Sequence, residues 1–283
     1  MVKNLFGFVT FGNLAFSQLV VQSIKETVHN PYDIFAVVGK PGDTETKEWL
    51  EFEGIPHTIH NQNMGFPYSV NDIYDFAWVH NDYDNLILLG NDVVLYPYAG
   101  DSLIDFANVS TYSVISALQY DVRDLLNQYP EIHKHFVGDD CVINDFSARP
   151  WDRFDNYSPE LSIADMQLFD IQNMCLYKKN AFQRIGYTDV NFYPAYFIDN
   201  DYANRIVRAG LKCCTLTNAR FFHFWSRTIK QGSGGSNQRY FDNNKRYYKE
   251  KWGGEVGKET LQPNIRIDSR VGEEDAIARW RNK

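Results

Sequence analysis

The chain has 283 residues, enough for one large α/β domain or two small ones around a sizeable core. Its 44% apolar and 23% charged composition is that of a soluble globular chain, and it has no run of about 18 apolar residues that could span a membrane. A net charge of −8 argues against a general nucleic-acid binder, because nonspecific binding to phosphate backbones needs clustered positive charge. The 18 Tyr, 20 Phe and 6 Trp suit a core plus a cleft that stacks flat ligands. Cys141, Cys175, Cys213 and Cys214 show neither CxxC spacing nor a histidine at zinc-finger distance. They read as buried thiols in a reducing, cytoplasmic compartment. The charge-poor start through Ile24 is interrupted by Asn13, Ser17, Gln18 and Gln22, so it reads as strand, turn and helix rather than a targeting segment.

Leu5–Thr10 is a first predicted strand, and Leu14–Glu26 follows as a helix with Leu14, Leu19, Val20 and Ile24 near helical spacing. Asp33–Val38 gives a second buried strand, and Thr44 caps a helix through Glu51. Thr58–His60 is a short third strand, and Tyr68–Val79 is a helix carrying Val70, Ile73 and Ala77 on one face. Leu86–Leu89 is apolar throughout, which fits a strand covered on both sides. Strand and helix therefore alternate across the first hundred residues, the pattern of βαβ units and a parallel sheet. The middle is less regular, with a helix at Asp101–Ala107, a strand at Tyr112–Ala117 and a polar loop holding His133-Lys134-His135. That trio lacks the further ligands a metal site needs. The alternation resumes with a strand at Ile171–Tyr177, helices at Lys179–Ile185 and Asp199–Ala209, and a strand at Leu211–Leu216. A Gly-Ser loop at 232–236 precedes a helix at Tyr240–Trp252, and a polar tail runs from Glu255.

Gly90-Asn91-Asp92 ends the central apolar run, and open α/β sheets place their ligands at the carboxyl ends of such strands. Asp92 is there either a ligand for a hard divalent cation or a turn residue. Asp199 at a helix start is either a general base or a carboxylate favoured by the helix dipole. Asp201 and Arg205, at i and i+4, read as an intrahelical ion pair. His223 among aromatics is a metal ligand or a core histidine.

Four local patterns stand in a particular order. They are Asn63-Met64-Gly65-Phe66 with Asn71 downstream; Leu88-Leu89-Gly90-Asn91-Asp92-Val93; Tyr196-Phe197-Ile198-Asp199-Asn200-Asp201 leading to Arg205 and Ala209-Gly210; and Phe222-His223-Phe224-Trp225-Ser226-Arg227-Thr228. Together they resemble the glycosyltransferase family 2 type of GT-A nucleotide-sugar transferases. Those proteins show N-x-G-F, then L-N-N-D-V, then E-D-x-D with R-R-A-G, then a histidine and S-R-T. The resemblance runs over residues 5–254 and includes the Lys251-Trp252-Gly253-Gly254 close.

The resemblance implies a GT-A (Rossmann-like) α/β fold, a mostly parallel sheet flanked by helices. A catalytic domain would span 1–230, and a loop, helix and tail at 231–283 would pack on it. It implies a metal-dependent glycosyltransferase, a hexosyl- or pentosyltransferase, moving a sugar from a nucleoside-diphosphate donor to an acceptor hydroxyl with inversion. Asp92 and His223 would hold Mn2+ or Mg2+, and Asp199 would be the base. Thr10, Gly39, Lys40, Asn63, Gly65, Asn71, Asn91, Arg227 and Lys230 would border the donor, the last two on a loop that closes over the diphosphate.

The chain departs from the family pattern at three places. Gly90 stands for the first aspartate of D-x-D, and Ile198 for the glutamate before the base. Val38-Gly39-Lys40 replaces the segment whose aspartate contacts uridine or ribose. From Arg227 to Lys251 seven basic residues face two acidic ones, with Tyr240, Phe241, Tyr247 and Tyr248 interleaved. That stretch admits hydroxymethylated bases of viral DNA as an acceptor beside the family's default carbohydrate. The missing carboxylates at 39 and 90 motivate a third reading, a noncatalytic sugar-nucleotide-binding relative.

Overall fold

The computed structural model describes residues 2–121, 173–224 and 238–281, with strand pieces at 136–137, 142–143 and 163–164. The first half runs β1 (Asn4–Thr10), α1 (Leu14–Thr27), β2 (Asp33–Val38), α2 (Thr44–Phe52), β3 (His57–Ile59), α3 (Phe66–Tyr74) and β4 (Asn85–Gly90). Then come β5 (Val93–Leu95), α4 (Ala99–Val109), β6 (Val114–Asp121), β7 (Phe136–Val137), β8 (Val142–Ile143) and β9 (Ile163–Ala164). The last part holds β10 (Cys175–Lys178), α5 (Lys179–Ile185), α6 (Ile198–Arg208), β11 (Cys213–His223), α7 (Gln238–Trp252) and α8 (Glu273–Arg281).

One sheet runs in the order β3-β2-β1-β4-β10-β6-β11-β5, with β9 on β11, while β7 and β8 pair separately. β3, β2, β1 and β4 are parallel neighbours, β10 is antiparallel to both β4 and β6, and β11 is parallel to β6. The sheet separates two apolar cores. Phe6 and Phe8 of β1 point toward α1 and α4, whereas Leu5 and Val9 point toward α3, α5 and α6. That alternation on a strand buried along its whole length is what a sheet covered on both faces requires.

Several boundaries differ from the sequence expectation. The helix expected at 68–79 begins at Phe66, with Pro67 in its first turn, and changes to a π-helix over Asp75–Val79. Proline suits that position because its missing N–H is one a helix start leaves unpaired anyway. β10 begins at Cys175 and runs against its neighbours, so the sheet is mixed at its centre. β11 passes the expected stop at Leu216 and reaches His223, because a register shift between Leu216 and Arg220 lets the strand resume. The expected trio His133-Lys134-His135 and Cys141 lie outside the described residues. Cys175, Cys213 and Cys214 are free thiols, and burial pushes Cys214 up to about 12, as suits an inert thiol.

The polar stretch after Glu255 forms α8, which is clasped to α3. Arg270 donates to Asp72 and, at 2.7 Å, to Asp75 Oδ2, while its Nε donates to Glu273 Oε2 at 2.8 Å. Three carboxylates share one guanidinium, so one of them retains its proton most readily. Burial pushes Glu273 up to about 7 against the opposing pull of Arg270 and Asn71. The folded chain therefore keeps a proton on Glu273 that the unfolded chain releases near 4.5. Stability from this group is full below that value and falls as pH rises toward 7, by up to about 3 kcal/mol. Thermal unfolding at pH 5 and pH 8 checks this: Glu273→Gln should lose less stability than the parent between the two. Equal losses would remove Glu273 as the cause.

Candidate active site

The carboxyl ends of β1, β2, β3 and β4 lie on one edge of the sheet, as parallel register demands. Asp92 follows β4 at that edge and directly precedes Val93, which pairs with His223 at the end of β11. His223 Nε2 lies 3.2 Å from Asp92 Oδ1, and their side chains keep 12% and 11% of their surface exposed. Phe224 N donates to Asp92 O at 2.9 Å, and Phe224 packs on Phe16 of α1, so both backbones are fixed. Ligand atoms about 3 Å apart are neighbours in an octahedral sphere of ~2.1 Å bonds. The pair thus has the spacing of two neighbouring ligands of a divalent cation. Among the described residues no group of three or more His, Cys, Asp or Glu gathers to hold an ion by itself.

Asp199 reaches the same edge by topology. α6 precedes β11, which runs toward the carboxyl edge, so the helix descends and its first turn stands at that edge. The turn before it is tied to that edge, since Phe66 N, at the start of α3, donates to Pro194 O at 2.7 Å. Tyr196 and Phe197 hold φ of 73° and 61° just before α6, a left-handed pair of non-glycine residues that costs about 1–3 kcal/mol each. The backbone tolerates that strain because the surroundings fix it. Asn244 of α7 donates to Phe192 O at 2.9 Å and to Tyr196 O at 3.4 Å, and Phe241 packs on Tyr196 and Phe197. Asn200 N donates to Asp199 Oδ1 at 3.0 Å. Burial nevertheless raises the Asp199 carboxyl above the ordinary range, the direction that makes it a stronger proton acceptor.

Two residues behind Asp199 is a buried ionic knot. The expected Asp201–Arg205 pair is present, with Nε to Oδ2 at 3.0 Å and both residues at 0% exposure. Trp252 Nε1 donates to Asp201 Oδ1 at 3.0 Å, and Lys251 Nζ lies 2.6 Å from Asp201 Oδ1 and 2.7 Å from Asp189 Oδ2. Burial alone would raise Asp189; the Lys251 ammonium overrides it and holds the carboxyl at about 2. Sequence spacing gave the helical pair. The partners Asp189 and Lys251 lie 12 and 50 positions away, which spacing on one helix cannot reveal.

The expected donor residues divide. Thr10 is fully buried; it accepts from Ser17 at 2.9 Å and donates to Gly12 O at 2.9 Å, and Asn91 Nδ2 approaches it at 3.4 Å. These side chains shape the Phe11–Asn13 turn from within. Gly39 N donates to Thr10 O at 2.8 Å, and the exposed Lys40 lays its side chain over Gly12. Lys40 is therefore a cation at the mouth of the edge. Asn63 Oδ1 accepts from Gly65 N at 2.9 Å, and Arg281 donates to Asn63 O. Gly65 has φ 81°, and a Cβ there would lie 2.7 Å from Tyr193 Cδ2 and 3.1 Å from Pro194 Cα. The N-x-G-F segment thus docks the 193–197 turn. Asn71 is fully buried, donating to Glu273 Oε1 and Thr188 O and accepting from Thr188, so its amide is spent inside the protein. Arg227 and Lys230 lie outside the described residues.

No protein-family model and no curated protein matches this sequence. Solved structures do match in fold. GalNAc-T7 with UDP, GalNAc and Mn2+ superposes with a TM-score of 0.59 at 12% identity over 89% of this chain and 49% of that one. S. aureus TarS in complex with UDP gives 0.53 at 8% over 90% and 72%. The mannosyltransferase PcManGT from Pyrobaculum calidifontis, in complex with GDP-Man and Mn2+, gives 0.51 at 11% over 79% and 57%. This chain thus spans about half the length of GalNAc-T7 and of PcManGT. The fold is GT-A, a curled and mostly parallel sheet flanked by helices. Its structural neighbours are nucleotide-sugar glycosyltransferases, two of them solved with Mn2+. Among the described residues no helix is long and apolar enough to cross a membrane.

Proposed function

We propose that this chain is a divalent-metal-dependent, inverting glycosyltransferase that uses a nucleoside-diphosphate sugar and an acceptor hydroxyl. The observation that carries the reading is the Asp92–His223 contact at the strand-end edge where α6 also begins. Asp92 and His223 hold the cation, Mn2+ or Mg2+, which when bound neutralises charge on the departing diphosphate. Lys40 adds positive charge beside the same edge. Asp199 accepts the proton as the acceptor oxygen bonds to the anomeric carbon and the bond to the diphosphate oxygen breaks. Attack from the face opposite the leaving group inverts the configuration. In this reading Thr10, Gly39, Asn63, Gly65 and Asn91 shape the donor cleft from behind.

A carbohydrate hydroxyl is the favoured acceptor. Of the basic and aromatic set on α7 that motivated modified DNA, Lys251 is spent on Asp189 and Asp201, Tyr247 on Asp189 and Tyr248 on Glu259, while Arg239, Lys245, Arg246 and Lys249 stay exposed. A panel of UDP-, GDP- and dTDP-sugars with Mn2+, read by mass spectrometry with and without chelator, tests the reading. Transfer or slow donor hydrolysis that stops with chelator is expected. Donor binding with neither reaction would instead favour the noncatalytic relative.

A further inference from the structure

The sequence puts a glycine at position 90, where D-x-D has its first carboxylate, and the structure shows what occupies the vacated space. β10 runs antiparallel to β4 with Cys175 opposite Leu88, so continuing the register sets Asn173 opposite Gly90. The side chains agree with the backbone. The point where a Cβ on Gly90 would sit is 3.1 Å from Asn173 Oδ1 and 3.1 Å from Asp92 Oδ1. Two acceptor oxygens therefore border one small space, and Asp92 Oδ1 is also the atom facing His223. The backbone just past Asn173 is held in an unusual state, since Met174 has φ 53° while fully buried. That turn is what lets the chain enter β10 with Asn173 at the edge.

We propose that Asn173 supplies through its amide oxygen the third protein ligand to the divalent cation, replacing the carboxylate lost at Gly90. The inference rests on the metal-dependent reading above. A neutral amide oxygen is an ordinary ligand for hard cations. It leaves the site one negative charge poorer than a two-aspartate site, so more of the ion's affinity comes from the donor diphosphate.

Mn2+ binding to the full chain, followed by the electron paramagnetic resonance of free Mn2+ with UDP or GDP present, tests this without turnover. A nucleotide lacking sugar is used so that a lost sugar contact does not register. Asp92→Ala and His223→Ala should abolish binding, and Asn173→Ala should weaken it by about tenfold or more. Adding Gly90→Asp to Asn173→Ala should restore binding, since the carboxylate enters the space the amide leaves. Should Asn173→Ala fail to fold, Asn173→Asp should bind Mn2+ more tightly than the parent, and equal or weaker binding overturns the assignment. Asn173→Ala with parental affinity, while Asp92→Ala loses the ion, also overturns it and leaves the Asp92–His223 reading standing. Asp92→Ala with parental affinity removes that reading and the Asn173 role together.

Discussion

Asp199→Asn is expected to lower the rate of sugar transfer by about 10²–10⁴-fold, the usual contribution of a positioned general base, while leaving donor and Mn2+ binding near those of the parent. The amide keeps the size and the Asn200 N–H bond of the carboxylate but cannot accept the acceptor's proton. Because burial raises the Asp199 carboxyl, its charged form accumulates only above the ordinary aspartate range. Transfer by the parent should therefore climb with pH along an acid limb displaced upward from that range, and the limb should vanish in Asp199→Asn. A kcat against KM comparison separates the base from a donor contact, since loss of a base lowers kcat and leaves KM in place. Full activity in the asparagine variant would sink the assignment.

The same helix shows how far sequence pattern reaches. The meeting of Asp92 with His223 was legible because motif order marks both and because strand ends are where α/β sheets hold ligands. The alternation of strand and helix through Gly90 was legible for the same kind of reason, since periodicity is a local property. What the sequence hid is long-range. The reversal of β10 depends on partners across the sheet, and Asn173 gains meaning only when that reversal sets it opposite Gly90. The extension of β11 to His223 was masked by the polar Thr217-Asn218 beside its register shift. α8 was hidden because its polar sequence gains its hold from Arg270 meeting Asp72 and Asp75 nearly two hundred positions earlier. Asn71, whose sequence position suggested the nucleotide, instead joins α3 to the Thr188 turn and to Glu273.

Asp201→Ala is expected to be the most destabilising single change around the site, at about 3–5 kcal/mol, because it strips the shared carboxylate from two cations. Arg205 has no exposed surface, and only 11% of the Lys251 side chain is open, so water cannot replace what is lost. Lys251 keeps Asp189 and Arg205 keeps the carbonyls of Ile185 and Ile265, which limits the loss without cancelling it. Trp252 Nε1 would also lose its acceptor inside a packed aromatic cluster. Chemical denaturation should show the drop, whereas Lys47→Ala, which breaks an exposed pair on α2, should leave the midpoint unchanged. The knot also ties α6 to the end of α7, so its loss should loosen the turn that presents Asp199. Transfer by Asp201→Ala should then fall at temperatures well below its unfolding midpoint, while Mn2+ binding at Asp92 and His223, on other elements, persists. A variant as stable as the parent would show that Asp201 is not the centre of the network, and the two-residue spacing from Asp199 would lose its structural explanation.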